Sequence, residues 1–244
     1  IGTFKSFPVP RQESTPNAPI LRRVFIPIAS TAEPGTYKVS FSAATGNTLA
    51  DHELTIVERE FRRETISLNY SLSELRSSDD PEKYRQAVQI QKIYGSFNPD
   101  RLLGSLNLQL PLPKKDPGGY RITSFYGDRR IFSYSDDRNA RSVHTGIDFA
   151  APVGTDVLAA ESGRIVLAED RIISGYSVVI EHLPGVYTIY FHLDDLSVEK
   201  GATVEAGDKI GTVGNTGLAT GPHLHWEVRV NGVAVDPPML TQID

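Results

Sequence analysis

The chain has 244 residues, 39% of them hydrophobic, which is enough for one large packed domain or two ordinary ones. Its formal net charge of −5 is unevenly distributed, since residues 1–118 carry 15 basic and 13 acidic side chains and residues 119–244 carry 10 and 17. A nucleic-acid-binding protein needs a clustered basic face, so we expect no nucleic-acid partner. No apolar run approaches the roughly 20 residues that cross a bilayer, so we also expect no membrane span.

The first residues, Ile1–Phe4, lack the charged and apolar regions of a secretory signal peptide. We therefore expect any export signal or anchor to lie outside this chain. The sequence contains no cysteine, so no disulfide indicates an oxidising compartment, and composition by itself leaves the location open.

Residues 1–60 have the pattern of short strands joined by turns. The alternating segments Leu21–Ile26 and Thr36–Ser42 are separated by Glu33-Pro-Gly35, and Gly46-Asn47 follows the second segment. Alternating apolar and polar residues between glycine and proline turns are typical of β-strands. The sequence predicts a small β-rich domain here, similar to a β-sandwich.

One helix is predicted at about residues 81–94. Asp80 can cap the free N–H groups at its start, Pro81 suits its first position, and Gly95 is expected to end it. A weakly apolar stripe at helical spacing is formed by Tyr84, Val88 and Gln91, with Ala87 and Tyr94 beside them.

A domain boundary is predicted after this helix. Prolines and glycines interrupt residues 108–119 and make a continuous regular element there unfavourable. We place the boundary at Gly118, which divides the chain into the β-rich domain, a linker over residues 61–118 and a C-terminal domain over residues 119–244.

The C-terminal domain is predicted to be nearly all β. It shows no helical period of useful length, and strand-like runs recur between glycine turns. These runs are Asp156–Ala160, Arg164–Glu169, Tyr176–His182, Tyr187–His192, Lys209–Val213 and Leu224–Val230. A hairpin connection is expected at Leu183-Pro-Gly185, which would place the third and fourth runs side by side.

Four of the six histidines fall in three short segments of this domain: His144-Thr-Gly-Ile-Asp148, Tyr190-Phe-His192 and His223-Leu-His225. Imidazole nitrogens and carboxylate oxygens are the usual ligands of catalytic zinc, which needs three protein ligands and one open position. Structural zinc sites are mostly built from cysteine thiolates. A set of histidines and an aspartate without cysteine therefore indicates a metal that is kept open for chemistry, and an enzyme is the leading hypothesis.

Strand alternation predicts how some of these side chains are directed. His223 and His225 are two residues apart and should share one face, with Leu224 and Trp226 on the core face. By the same rule Tyr190 and His192 should share a face. Spacing does not fix the faces of His144 and Asp148. The remaining histidines, His52 and His182, lack a nearby second ligand type, and we interpret them as surface or hydrogen-bonded groups.

The three segments extend into longer motifs: His144-Thr-Gly-Ile-Asp-Phe-Ala-Ala-Pro-Val-Gly-Thr, Tyr190-Phe-His-Leu and Gly221-Pro-His-Leu-His-Trp-Glu-Val. Together they resemble the lysostaphin-type zinc metallopeptidases, which cut peptide cross-links in bacterial cell-wall peptidoglycan. The resemblance covers about residues 120–238. It implies a mainly β chain whose C-terminal domain is an all-β, antiparallel-sheet peptidase of the duplicated hybrid motif type.

The resemblance also implies residue roles. The metal ligands of this family are the histidine and aspartate of the first motif and the second histidine of the last, so His144, Asp148 and His225 are expected to bind Zn²⁺. The expected catalytic histidines are His192 and His223, and which does which stays open. The implied activity is that of a zinc metalloendopeptidase acting on peptide cross-links, with carboxypeptidase action on stem peptides as an alternative.

Peptidoglycan peptides as substrate imply an exported protein of the periplasm or cell surface. The sequence also leaves two rival functions open. In a catalytically silent wall-binding protein or activator of another wall hydrolase, the peptidase domain would be a scaffold. The second rival is a biotin or lipoyl carrier, because the segment Val198–Gly214 resembles the repeats of those domains. Carrier lysines typically sit between methionines or in an acidic turn. The single methionine, Met239, is far from this segment in the sequence, which argues against a carrier.

Two regions keep their roles open. Residues 1–118 match no catalytic motif, although Pro34-Gly-Thr-Tyr37 resembles part of the immunoglobulin-like modules that sometimes precede such peptidases. This region could target the enzyme, cover its groove or dock a protein partner. The segment Arg129–Ser142 departs from the family pattern just before the first ligand and could border the substrate groove.

Overall fold

The computed structural model describes residues 2–8, 21–104, 106–113 and 119–241. In chain order, the strands of the first part are β1 (Phe7–Pro8), β2 (Arg22–Arg23), β3 (Gly35–Ser42), β4 (Thr48–Ile56) and β5 (Arg63–Ser67). The strands of the second part are β6 (Arg121–Ser124), β7 (Arg129–Ser133), β8 (Asn139–Val143), β9 (Ile147–Ala150), β10 (Asp156–Leu158), β11 (Gly163–Arg171), β12 (Gly175–Leu183), β13 (Val186–Leu196), β14 (Thr203–Val204), β15 (Lys209–Val213), β16 (His223–Val230) and β17 (Val233–Val235). The helices are α1 (Tyr70–Ser77), α2 (Pro81–Tyr94) and a 3₁₀ turn at Pro237–Leu240.

A large antiparallel sheet dominates the second part of the chain. Its main path runs β14-β11-β12-β13-β16-β9-β6, and β10, β15 and β17 pair at its sides. The mainly β, antiparallel fold predicted for the C-terminal domain is confirmed. The predicted hairpin is present as well, because β12 and β13 are antiparallel neighbours joined at residues 184–185.

The two faces of this sheet are covered by different hydrophobic clusters. On one face the largest cluster gathers bulky side chains such as Phe149, Tyr190 and Trp226. On the other face, Ile90 and Tyr94 of α2 pack on residues of β11, β12 and β13. Because strand side chains alternate, neighbouring residues of β13 serve opposite faces, and α2 closes the face that the main cluster does not use.

Helix α2 begins and ends where the sequence predicts. The Asp80 carboxylate accepts a hydrogen bond from the Glu82 N–H at 2.8 Å, Pro81 is the first helical residue, and Gly95 is the C-cap. The predicted apolar stripe, however, is wrong except for Tyr94. The buried residues are Gln86, Ile90 and Tyr94, one turn apart, whereas Tyr84 is 76% exposed.

The region predicted as a small β domain contains strands in two separate pairs, β1 with β2 and β3 with β4. These short strands agree with the predicted pattern, but a separate β-rich domain stays a prediction. A packed β-sandwich is not seen in the described part of this region. The side chains of β3 and β4 are exposed or half-buried along both strands. The two strands form a projecting hairpin rather than one layer of a core.

The predicted linker includes a strand that joins the C-terminal region. β5 pairs in parallel with β7, and β7 pairs with β8, which forms a three-stranded sheet. The predicted boundary at Gly118 lies outside the described residues, and the division into three domains stays a prediction. Among the described residues, no helix is long and apolar enough to cross a membrane.

Candidate metal centre

Two paired strands and one adjoining turn bring three candidate ligands together. Asp148 on β9 and His225 on β16 are direct cross-strand partners, and His144 follows the end of β8. All three residues are buried. The connection between His144 and Asp148 must pass close to β16, and Gly146 makes this feasible. A Cβ atom at Gly146 would lie 2.3 Å from the Trp226 carbonyl oxygen, so a larger residue could not occupy this position without displacing the backbone.

The donor atoms of these residues converge on one point. His144 Nε2 lies 3.1 Å from Asp148 Oδ1 and 3.0 Å from His225 Nδ1, and His225 Nδ1 lies 2.9 Å from Asp148 Oδ1. Ligand atoms held at 2.0–2.2 Å in a tetrahedral arrangement around zinc would be separated by about 3.3 Å. Two imidazoles and one carboxylate match the donor set of a catalytic zinc site, so these residues fit the metal that the resemblance implies and could hold it.

Hydrogen bonds hold each imidazole in the orientation that ligation requires. His144 Nδ1 donates to the Phe125 carbonyl at 2.9 Å, which leaves Nε2 free as a ligand. His225 is oriented the other way round, with Nδ1 towards Asp148 and Nε2 3.5 Å from the buried carboxylate of Glu227. Such outer partners fix the tautomer of a metal-binding histidine. Glu227 in turn accepts a hydrogen bond from Arg229 at 2.5 Å.

The electrostatics of the site favour a positive charge among the donor atoms. Burial acts to lower the pKa of His225, but the adjacent Asp148 and Glu227 carboxylates outweigh it and raise the pKa to about 9. Burial acts to raise the pKa of Asp148, yet the imidazoles of His144 and His225 hold that pKa well below its ordinary value. A buried carboxylate that stays ionised beside two nitrogen donors is suited to a cation.

Asp148 has a second set of contacts that the sequence did not predict. Its Oδ2 accepts a hydrogen bond from Arg130 Nη2 at 2.5 Å, and Arg130 Nε pairs with the carboxylate of Glu64. Arg130 lies in the segment predicted to border the groove, but Glu64 lies in the predicted linker. In the sequence, Glu64 and Arg130 are only two oppositely charged residues far apart in the chain. They become direct partners because β5 pairs in parallel with β7.

The two remaining candidate residues, His192 and His223, lie beside the donor atoms. Their ring centroids are 4.7 Å apart, and His223 Nε2 is 3.9 Å from Asp148 Oδ1. His192 Nδ1 donates to the Thr216 carbonyl and His223 Nδ1 donates to the Gly221 carbonyl, both at 2.8 Å. In each imidazole Nδ1 is thus occupied by a backbone carbonyl, and Nε2 is the nitrogen without a backbone partner among these contacts.

The pKa of His192 is lowered to about 3, first by burial and then by the neighbouring imidazoles of His223 and His225. His192 is thus neutral at physiological pH.

The predicted face of His192 is wrong, because β13 changes partner at this residue. Up to Phe191 the strand pairs with β16, and from Leu193 onwards it pairs with β15. His192 has a φ of 62°, in the left-handed region, which interrupts the alternation of side chains. Tyr190 consequently lies in the core while His192 joins the metal centre. The predictions for His223 and His225 on one face and for Leu224 and Trp226 in the core agree with the structure.

The histidines interpreted as non-ligands lie away from the centre. His182 is fully buried, with Nδ1 2.8 Å from the Ser162 carbonyl oxygen and Nε2 2.7 Å from the Thr188 hydroxyl. His52 lies on the exposed hairpin, where its ring contacts Phe41.

Comparison with known proteins agrees with this arrangement. Residues 142–237 match the model of peptidase family M23, and this range includes the three ligand candidates and both neighbouring histidines. The chain therefore contains a peptidase family M23 domain, of the lysostaphin type that the sequence motifs resemble.

Among its relatives is the DD-carboxypeptidase/endopeptidase Mpg of Neisseria meningitidis, 47% identical over 109 residues, which cover 42% of this chain and 25% of the relative. The peptidoglycan DD-endopeptidase ShyA of Vibrio cholerae is 39% identical over 117 residues, covering 48% of this chain and 26% of the relative. The chain thus spans about a quarter of the length of these curated relatives. A crystal structure of an M23 peptidase from Pseudomonas aeruginosa superimposes with a TM-score of 0.60 and 26% identity, covering 90% of this chain and 78% of the other.

Proposed function

We propose that this protein is a zinc-dependent peptidoglycan hydrolase that cleaves peptide bonds in the cross-links or stem peptides of the bacterial cell wall. The observation that carries the proposal is the convergence of His144 Nε2, Asp148 Oδ1 and His225 Nδ1 within 3.1 Å of one another, with His192 and His223 alongside. The match of residues 142–237 to peptidase family M23 supports the reaction class.

In this proposal His144, Asp148 and His225 hold the zinc ion. When bound, zinc supplies a Lewis acid that polarises a carbonyl and makes water a stronger nucleophile near neutral pH. The protein contributes the neutral imidazole of His144, which its hydrogen bond to the Phe125 carbonyl holds in one tautomer, and the buried carboxylate of Asp148. Fixed ligands of this kind need no rearrangement during the reaction.

His192 and His223 carry the proton transfers. In both side chains Nδ1 donates to a backbone carbonyl, so Nε2 is the nitrogen through which each imidazole would exchange a proton. One Nε2 accepts the proton of the attacking water and delivers it to the leaving amine as the amide C–N bond breaks. The other imidazole, after taking up a proton from solvent, donates a hydrogen bond to the carbonyl oxygen as negative charge develops on it. The two imidazoles are near enough to share these roles, and their individual assignment is left to experiment.

The substrate class is inferred from the relatives, whose names specify peptidoglycan DD-endopeptidase and DD-carboxypeptidase activities. We therefore propose that the substrate is a wall peptide. We also propose that the protein is exported and acts in the periplasm or at the cell surface. The part of the chain before residue 119 is proposed to support the peptidase, either in positioning it or in docking a protein partner.

The test uses purified full chain, isolated peptidoglycan and mass spectrometry of the released fragments. We expect about one zinc per chain, cleavage of wall peptides and loss of cleavage when a chelator removes the metal. His225→Ala should lose both metal and activity. His192→Ala should keep the metal but lose turnover by roughly 10²–10⁴-fold, the contribution typical of a positioned acid–base group.

The matched control is His52→Ala, since that histidine is on the projecting hairpin and should leave both readouts unchanged. Fragment masses distinguish endopeptidase from carboxypeptidase action. A wild-type chain that holds zinc tightly but releases no fragment from any wall preparation would contradict the proposal and favour a silent wall-binding protein or activator.

A further inference from the structure

The contacts of Asp148 extend beyond the donor atoms to a buried ion-pair chain. Asp148 uses Oδ1 towards the two histidines and Oδ2 towards Arg130, so its two oxygens have separate partners. Arg130 is only 12% exposed and also pairs with Glu64 through Nε. The planar guanidinium thus joins two carboxylates from different strands through two of its edges.

Glu64 is held in turn by the fold. It is the direct parallel-strand partner of Arg130, and Ser124 donates its hydroxyl to the Glu64 carboxylate at 3.1 Å. Ser124 itself is the cross-strand partner of Asp148. These pairings close a ring of contacts around the Asp148 carboxylate. Neither Glu64 nor Arg130 lies within residues 142–237, the range that matches the peptidase family model.

We propose that Glu64 and Arg130 are positioning residues for the metal ligand Asp148, and that strand β5 of the upstream segment is therefore part of the zinc site. This inference rests on the proposed zinc site. Arg130 fixes the carboxylate so that Oδ1 alone faces the donor cluster, which keeps Asp148 monodentate. Glu64 compensates the positive charge of Arg130, which would otherwise oppose the binding of a cation nearby.

This arrangement predicts a specific pattern of metal affinity. Arg130→Gln frees the Asp148 carboxylate and leaves Glu64 without its charged partner, so zinc affinity should fall by about 10–100-fold, as is usual when an outer partner of a ligand is removed. Glu64→Gln leaves an uncompensated Arg130 charge beside the metal, and affinity should fall here too. In the Arg130→Gln background, Glu64→Gln should have little further effect, because the charge that Glu64 balances is gone.

The experiment measures zinc affinity of the full chain by competition with a chromophoric chelator, for both single variants and the double variant. Cobalt(II) substitution gives a second readout, since the visible absorption of cobalt weakens when coordination expands beyond four ligands. Arg130→Gln should show this weaker absorption if Asp148 becomes bidentate. Arg130→Lys, which keeps the positive charge, should retain part of the zinc affinity that Arg130→Gln loses. The charge-matched control is Arg138→Gln, which removes an exposed arginine from the turn between β7 and β8.

Thermal unfolding in chelator identifies variants that merely fail to fold. If Arg130→Gln and Glu64→Gln fold and bind zinc within twofold of wild type, the positioning role is wrong, whether or not the protein cleaves peptidoglycan. If both effects are present but simply add in the double variant, the coupling through Arg130 is wrong. A wild-type chain that binds zinc but cleaves no wall would contradict the proposed reaction and leave this affinity pattern intact.

Discussion

His182 shows how a single buried histidine can matter without touching the metal. It lies fully inside the sheet, and the Thr188 hydroxyl beside its Nε2 also lies 3.0 Å from the Tyr190 hydroxyl. Burial lowers the pKa of His182 to about 4. The neutral imidazole is therefore the form that the folded protein accommodates, and protonation of this residue favours unfolding.

This shift predicts a loss of stability in mild acid. The pKa of His182 is about 4 in the folded state and about 6.5 in the unfolded state. Its contribution to the free energy of unfolding is therefore complete above pH 6.5 and is lost as the pH falls from 6.5 to 4. Between pH 7 and pH 5 this residue should account for about 2 kcal/mol of the decrease in unfolding free energy. Urea unfolding of wild type and His182→Gln, both in chelator, measures the difference. An identical pH dependence in the two proteins would contradict the assignment.

At the residue scale, local backbone geometry could not be predicted from the sequence. Motifs predict five candidate site residues, and alternation along β16 correctly separates His225 from Trp226. Alternation failed at His192, because its left-handed φ depends on the change of strand partner from β16 to β15, and that is a property of the sheet. No local pattern around Tyr190 indicates this change.

At the element scale, helix α2 illustrates a start and end predicted correctly and a face predicted incorrectly. Asp80, Pro81 and Gly95 act locally, so the sequence contains their signals. The buried face depends on what the helix packs against, and here Ile90 and Tyr94 meet the apolar side chains of β11, β12 and β13. Because Gln86 is also buried on that face, the stripe is too polar to be recognised from hydrophobicity.

The corrected face of α2 predicts different costs for two substitutions. Ile90→Ala should lower the free energy of unfolding by about 2–4 kcal/mol, since it creates a cavity against Leu167, Val179 and Ile189. Tyr84→Ala, on the exposed face of the same helix, should change it by no more than about 0.5 kcal/mol. Chemical denaturation of both variants provides the comparison. Equal losses of unfolding free energy, or a larger loss for Tyr84→Ala, would contradict this assignment and support the buried face predicted from the sequence.

At the scale of the whole molecule, the site depends on contacts between distant parts of the chain. Glu64 and Arg130 are 66 residues apart, and nothing in their local sequences indicates that β5 pairs with β7. Arg229, which holds Glu227, stacks over Tyr94 of α2, with its guanidinium 4.3 Å from the ring centroid. Arg130, the partner of Asp148, and Arg229, the partner of Glu227, therefore each contact a residue of the segment between residues 61 and 118. Motifs predict the candidate reactive groups, whereas the contacts that hold these side chains are visible only in the tertiary structure.

These connections predict that metal binding stabilises the fold as a unit. The ligands join the β8–β9 turn to β16, so zinc should bind the folded state far better than the unfolded chain. Free zinc at a hundredfold excess over its Kd would add about 2.7 kcal/mol to the free energy of unfolding, and for a chain of this size that raises the Tm by roughly 5–10 °C. Scanning calorimetry with and without chelator measures the shift in wild type. His225→Ala should show no zinc-dependent shift, whereas His52→Ala should keep the full one. Identical melting of wild type in zinc and in chelator would mean that these three side chains do not bind the ion in the folded protein.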